Sequence, residues 1–172
     1  QEKLTLTENA QPAIMTISMA VIKVLEIDFK VNLNEKINYF AGHSLGEYTA
    51  LAAAKSLSLS DVAKILFFRG ENMQRCTNKN KTAMAAFMGA DISKIKDIAN
   101  KFSSKNMVCD IANYNTDNQI VLSGDENAIE EAICEAKKQN IKALRLAVSA
   151  PFHSSYMKDT AQALKEEFQK YI

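Results

Sequence analysis

The chain carries almost no net charge: 21 lysines and arginines against 20 acidic residues leave +1 in 172 residues. So even a balance offers no electrostatic footprint for nucleic acid, and no long basic run argues for a membrane surface. Cysteine is scarce and odd in number, at Cys76, Cys109 and Cys134, with no Cys-x-x-Cys pair. That argues against a disulfide framework or a metal site and fits free thiols in a reducing compartment, the cytoplasm by default. No apolar run approaches the roughly 18–20 residues of a membrane span. The polar opening lacks both an initiator Met and a signal-peptide pattern, so the chain reads as a piece of a longer protein. A transit peptide upstream would move the expected location to an organelle stroma or matrix. Histidine occurs only at 43 and 153, and arginine only at 69, 75 and 145, lysine supplying the other basic residues. A histidine or arginine in an unusual place is therefore informative. The 47% hydrophobic content is that of an ordinary globular protein with one core or two small ones.

Against this background stands one pentapeptide. Gly42-His43-Ser44-Leu45-Gly46 lies between an apolar run, Ile37 to Ala41, and an alanine-rich stretch, Glu47 to Ala54. A Gly-x-Ser-x-Gly pattern between a strand-like and a helix-like segment suggests a nucleophile elbow. Its two glycines permit a sharp turn without a Cβ clash. Ser44 is then left at the start of a helix, where the unpaired amides of the first turn can face a developing oxyanion. A chance Gly/Ser turn is the alternative, and the strand–turn–helix context favours the elbow.

Ala13, Ile14, Ile17, Ala20, Val21, Val24 and Leu25 fall at helical spacing and predict a helix over 9–28, with Asn9 as cap and Pro12 in the first turn. A strand at about 37–41, a helix over 45–54 and a helix over 61–76 capped by Ser60 or Asp61 follow. From Thr82 the pattern changes: strand 83–88, helix 92–102, strand 107–112, polar turn 113–118, strand 119–123, a helix capped by Asp125, and strand 141–148. The order β-α-β-β-α-β is the split, ferredoxin-like arrangement. Residues 82–148 thus read as a small subdomain inserted into a larger one formed by 1–81 and 149–172, which closes on an amphipathic helix. The larger part shows a single clear strand, and one strand makes no sheet. Its partners are expected outside this chain.

Ser44 needs a base, since an unactivated hydroxyl is a poor nucleophile. His43 adjoins the serine in sequence, so its side chain should point away and pack or hydrogen-bond beneath the turn. His153 follows Pro151 in a loop just past a strand, where catalytic residues concentrate, and is the better base. No acid stands out as a third member, so a Ser–His dyad steered by a backbone carbonyl is as reasonable as a triad. On the 61–76 helix Val62, Ile65, Leu66, Arg69 and Met73 share one face, which places Arg69 within the stripe that should face inward. A buried guanidinium needs an anionic partner, and its planar fork suits a carboxylate. An internal salt bridge or a snorkelling side chain competes with a substrate carboxylate here; a nearby nucleophile favours the substrate.

Gly-His-Ser-Leu-Gly-Glu-Tyr at 42–48, Arg-Gly-Glu-x-Met-Gln at 69–74 and Ala-Pro-Phe-His-Ser at 150–154 resemble the malonyl-CoA:acyl carrier protein transacylase family. Matches at 8–13 (Glu-Asn-Ala-Gln-Pro-Ala), 83–86 (Ala-Met-Ala-Ala) and 112–115 (Ala-Asn-Tyr-Asn) run in the same order. The resemblance implies an α/β fold with a hydrolase-like large subdomain, incomplete here, and the ferredoxin-like insertion. It implies that Ser44 attacks a malonyl thioester, with His153 as base and Arg69 on the free carboxylate. Met73 would line the pocket, the Leu45 amide would supply an oxyanion donor, and Phe152 would exclude a methyl branch. Gln11 and Asn113 lie in matching motifs and would support the site floor by hydrogen bonding or touch substrate. Implied partners are malonyl-CoA and acyl carrier protein, in fatty acid synthesis, with no cofactor or metal, no nucleic acid and no membrane. Lys137, Lys138 and Lys142 could meet an acidic carrier protein, although a solvated helix end is favoured.

The family's N-terminal strand with its Gly-Gln-Gly loop, and its segment beyond the last helix, have no counterpart here. Lys55 stands where many relatives have glycine. A serine hydrolase or thioesterase, and an inactive carrier-protein-binding fragment, are the competing functions.

Overall fold

The computed structural model describes residues 2–76, 81–148 and 150–171. It divides into two compact units, Gln1–Asn72 with Gln162–Ile172, and Met73–Ala161.

The first unit is helical. It holds α1 (Glu2–Thr5), α2 (Thr7–Ile27), α3 (Leu33–Lys36), α4 (Leu45–Ala53) and most of α5 (Leu59–Arg75). Met15 and Met19 of α2, Ala52 and Ala53 of α4, and Val62 and Leu66 of α5 form its core. Burial of these side chains, each contributing about 1.5–3 kcal/mol for the larger ones, holds the three helices together. The stripe expected to face inward on α2 does not: Ile14, Ile17, Val21, Val24 and Leu25 are exposed. Met15 and Met19, with Gln11 one turn before, are the inward row. A helix apolar on nearly every side has more than one candidate stripe, and spacing alone does not choose between them. For the same reason α2 is long and apolar enough to cross a membrane by length and composition, contrary to the expectation that no segment was.

Two expected caps are reassigned. α2 starts at Thr7 behind Leu6, and Asn9 lies inside it, its Nδ2 donating to the Lys3 carbonyl at 2.8 Å. α5 starts at Leu59, two residues before the expected position. Ser58 Oγ accepts from the Asp61 amide at 3.1 Å and donates to the Asp61 carboxylate at 2.6 Å. This reciprocal arrangement places the cap at Ser58, with Asp61 in the third helical position. The strand expected at 37–41 is not formed. A strand exists only where a neighbour supplies ladder hydrogen bonds, and among the described residues none does so for this segment.

The second unit runs β1 (Thr82–Met88), α6 (Ile92–Phe102), β2 (Cys109–Thr116), β3 (Gln119–Asp125), α7 (Glu126–Lys138) and β4 (Lys142–Arg145). A one-turn 3-10 helix at Ser155–Met157 then leads into α8 (Lys158–Phe168). The strands form one antiparallel sheet in the order β2-β3-β1-β4. Strand alternation sends Ala83, Ala85 and Phe87 of β1 and Ile120 and Leu122 of β3 into a core with Ile95 and Ile98 of α6 and Ile129 and Ile133 of α7. Met84, Ala86 and Val121 take the opposite face, where Ala112, Leu146 and Phe152 pack. β2 continues to Thr116 instead of turning at 113. Register shifts at Ile111/Asn113 and Tyr114/Thr116 absorb extra residues, so the polar run is a bulged edge strand.

Candidate active site

Ser44 occupies the position before α4 with φ 52° and ψ −114°. This left-handed backbone turns the chain into the helix, and the Gly46 amide closes the turn on the His43 carbonyl at 2.9 Å. Gly42 is sterically required: a Cβ there would sit 2.0 Å from the Gly46 carbonyl carbon and oxygen. Gly46 is not, since a Cβ on it would meet nothing within 4 Å. Only one of the two motif glycines therefore serves the turn in the way the sequence suggests. Leu45 places its side chain against the first unit's core, and its amide, first in α4, has no acceptor within the helix. His43 is exposed and lines a cleft with Ile14, Ile22 and Phe40.

Arg69 and Gln11 are buried, 7% and 4% exposed, and Arg69 links Gln11 to Ser44. Arg69 Nη2 donates to Ser44 Oγ at 3.0 Å, and Arg69 Nη1 donates to Gln11 Oε1 at 2.5 Å. Gln11 Nε2 donates in turn to Thr7 Oγ1 at 3.0 Å, fixing the amide with its oxygen toward the arginine. The guanidinium carbon lies 5.4 Å from the centroid of the Tyr48 ring, close enough for a cation–π contact. Burial lowers the Arg69 pKa from its ordinary value, with Tyr48 and Glu47 opposing the shift; burial likewise raises that of the Tyr48 phenol. Among the described residues no carboxylate lies within ion-pair distance of this cation. A desolvated guanidinium held by neutral groups is poised for an anion from outside.

Two contributors to this cluster were not read from the sequence. Tyr48 stands four residues after Ser44, one turn into α4. Gly70 permits α5 to approach the start of α2, where an added Cβ would come within 2.3 Å of the Glu8 Cα. That close approach is what brings Gln11 to Arg69. A glycine inside an apolar helix was the available signal.

Met73, one turn beyond Arg69 on α5, is buried. His153, Phe152 and Asn113 belong to the second unit. His153 is exposed, in a turn with φ 60°. Phe152 packs on Met84, Ala86 and Val121, and the β2 bulge pairs Asn113 with Val121, on that same face. Asp125 sits at the cap position of α7 but makes no capping bond. Its Oδ2 accepts instead from the Val108 amide at 2.6 Å and the Tyr156 hydroxyl at 2.8 Å.

Five non-glycine residues described here have positive φ: Lys30, Ser44, Lys55, Asn140 and His153. Lys55 and Asn140 follow the caps of α4 and α7, and Lys30 stands just beyond α2, where left-handed residues end helices. Ser44 and His153 have no such reason, and strain without a structural use points to function. Cys109 and Cys76 sit in settled surroundings, whereas Cys134 is exposed on α7. Burial pushes the Cys109 thiol up to about 12, and Cys76 Sγ lies 3.3 Å from Thr160 Oγ1.

Residues 1–172 match the acyl transferase domain family. A malonyl CoA-acyl carrier protein transacylase of Bacillus subtilis (strain 168) is 42% identical over 166 residues, 96% of this chain and 51% of that protein. An acyl-carrier-protein-S-malonyltransferase of known structure from Bartonella henselae is 43% identical with a TM-score of 0.91, over 99% of this chain and 54% of that one. A malonyl-transacylase solved in complex with a type II PKS acyl-carrier protein is 30% identical with a TM-score of 0.85, over 99% of this chain and 54% of that one. The chain spans about half the length of the curated relatives it matches. A family match along the entire chain, built around a strained serine at a helix start, is decisive: the chain belongs to the acyl transferase domain family.

Proposed function

We propose that the protein containing this chain transfers a malonyl group from malonyl-CoA to the phosphopantetheine thiol of an acyl carrier protein, in fatty acid synthesis. The observation that carries the reading is the buried Arg69 guanidinium, 3.0 Å from Ser44 Oγ and held by neutral side chains. A guanidinium has five N–H donors, enough to meet the free carboxylate of a malonyl group beside the contacts to Gln11, Ser44 and Tyr48. An esterase acting on uncharged acyl groups has no use for that cation beside its nucleophile. The names of the relatives agree with a malonyl donor and an acyl carrier acceptor.

In this reading Ser44 Oγ attacks the thioester carbonyl carbon while its proton passes to His153. The oxyanion is met by the Leu45 amide, and collapse expels coenzyme A, whose sulfur takes the proton back from His153. The carrier thiol then gives its proton to His153 and attacks the malonyl-serine ester, and Ser44 recovers the proton as the ester bond breaks. Two half-reactions through one covalent intermediate make the kinetics ping-pong. Proton transfer and nucleophilic attack need no cofactor. Met73 and Phe152 are assigned to the pocket wall, Phe152 as a steric stop worth about 1–3 kcal/mol against one added methyl. Gln11 orients Arg69, and Asn113 supports the floor beneath Phe152.

The strand order β2-β3-β1-β4 with two helices on one face supports reading residues 82–148 as a ferredoxin-like subdomain. The serine turn supports a hydrolase-like larger subdomain built from 1–81 and 149–172. The exposed apolar row of α2 fits a core helix of that larger subdomain, with no membrane involved. The cysteine usage supports the cytoplasm as the location.

Incubating the full-length protein with malonyl-CoA should add one malonyl group to Ser44, and a carrier-protein thiol should remove it. Release of malonate to water without transfer would make the protein a thioesterase. Carrier binding that persists in Ser44→Ala, with no adduct on the parent, would make it a binding module.

A further inference from the structure

The His153 turn is fixed at both flanks while the histidine itself stays exposed. On one side Pro151 and Ala150 are buried, and Phe152 lies on Met84, Ala86 and Val121. The Ser154 amide and hydroxyl both donate to the Pro151 carbonyl, at 3.2 and 2.7 Å. On the other side the Ser155 amide donates to Asp110 Oδ2 at 2.7 Å, and the Tyr156 hydroxyl donates to Asp125 Oδ2 at 2.8 Å. Asp110 pairs with Ser123, and Ser123 with Met84, across the sheet. The carboxylate and the ring seat of Phe152 therefore share one face of the sheet. A non-glycine residue at φ 60° persists only where its surroundings over-determine it.

We propose that Asp110 is a positioning residue for His153: its carboxylate, by accepting the Ser155 amide, holds the Pro151–Tyr156 turn in the left-handed conformation that presents the imidazole. Asp125 acts in parallel through the Tyr156 hydroxyl. The bond from Asp110 is a charged acceptor on a backbone donor, among the stronger classes of hydrogen bond, and it originates on a paired strand, not on another loop. Asp110 touches neither substrate nor the reacting atoms. Its effect on the reaction passes through the orientation of His153, and the inference rests on the base role assigned to that histidine.

The test uses the full-length protein and measures malonylation of Ser44 by rapid quench. Asp110→Ala should slow the step at least tenfold, with the malonyl-CoA concentration giving half-maximal rate unchanged within twofold. Asp110→Asn keeps an acceptor oxygen and should stay within threefold of the parent. In a His153→Ala background, Asp110→Ala should change the residual rate by less than twofold, because a positioning residue has nothing left to position. If Asp110→Ala unfolds the protein, Asp110→Leu, close to aspartate in reach but with no acceptor for the Ser155 amide, carries the same comparison with and without His153. A parent-like rate in Asp110→Ala beside an impaired His153→Ala overturns the positioning role alone. Equal damage from Asn and Ala, or a loss that persists without His153, also overturns it. A parent-like rate in His153→Ala would sink the base assignment and, with it, this inference.

Discussion

The Arg69 guanidinium donates to the Ser44 hydroxyl across 3.0 Å, joining the middle of one helix to the start of another. This bond ties the residue that would attack to the residue that would select. Arg69→Ala should therefore reduce malonyl transfer about a hundredfold relative to acetyl transfer, the order expected when a charge-assisted pair worth about 1.5–3 kcal/mol is lost from a buried site. Lysine should recover little, having no planar fork. Competition assays with malonyl-CoA and acetyl-CoA measure the ratio, and an unchanged ratio would remove the carboxylate role.

Gly70 lets α5 lie against the start of α2. Gly70→Ala must push the Glu8 backbone away, because the new methyl carbon has no flexible side chain to displace. Overpacking of this kind costs about 1–3 kcal/mol, and the displacement should also part Gln11 from Arg69. Thermal unfolding should show a lower midpoint, and selectivity for malonyl-CoA should fall with it. A variant as stable and selective as the parent would show that the helices do not need this approach.

Lys55 ends α4 at φ 58°. An L-residue pays about 1–2 kcal/mol for the left-handed region and glycine does not. Its ion pair with Glu26, at 3.8 Å with the lysine largely exposed, adds little to set against that. Lys55→Gly should raise the melting temperature by a few degrees without altering transfer rates. A lower melting temperature would mean that the lysine side chain contributes more than its backbone costs.

Cys109, with its thiol pushed up to about 12 by burial, stays protonated throughout the working range of alkylating reagents. At pH 8 its thiolate fraction is on the order of one in ten thousand. Iodoacetamide on the folded protein should modify the exposed Cys134 first and leave Cys109 unmodified until denaturant is added. Mass spectrometry of tryptic peptides reads this directly, and early labelling of Cys109 would show that the sheet core opens.

Much of this arrangement was legible in the sequence, and the misreadings have common causes. The serine turn was visible because a Gly-x-Ser-x-Gly segment shapes its own backbone. Arg69 was visible because helical spacing placed it among Val62, Ile65 and Leu66, and it is buried with them. The inward row of α2 was misread because Ile14, Ile17 and Val21 look as core-like as Met15 and Met19. Asp125 stands at the cap position of α7 as expected, but the rule for caps is local and does not foresee that its carboxylate accepts from Val108 and Tyr156, far from it along the chain. The strand at 37–41 failed because its β character needed a partner.

By itself the sequence determined the turn at Ser44, which helices have an apolar face, and that one serine, one outlying histidine and one inward arginine stand apart from the lysines that supply most of the positive charge. Those features depend on residues within a turn or two of one another, where sterics and periodicity act directly. Tertiary structure alone decided that Gln11 and Tyr48 hold Arg69 against Ser44, that Gly42 and not Gly46 is needed at the turn, and that two aspartates on the sheet tie down the histidine loop. Each of these depends on packing or on hydrogen bonds that converge in space, often from distant parts of the chain, and nothing in local spacing encodes that convergence.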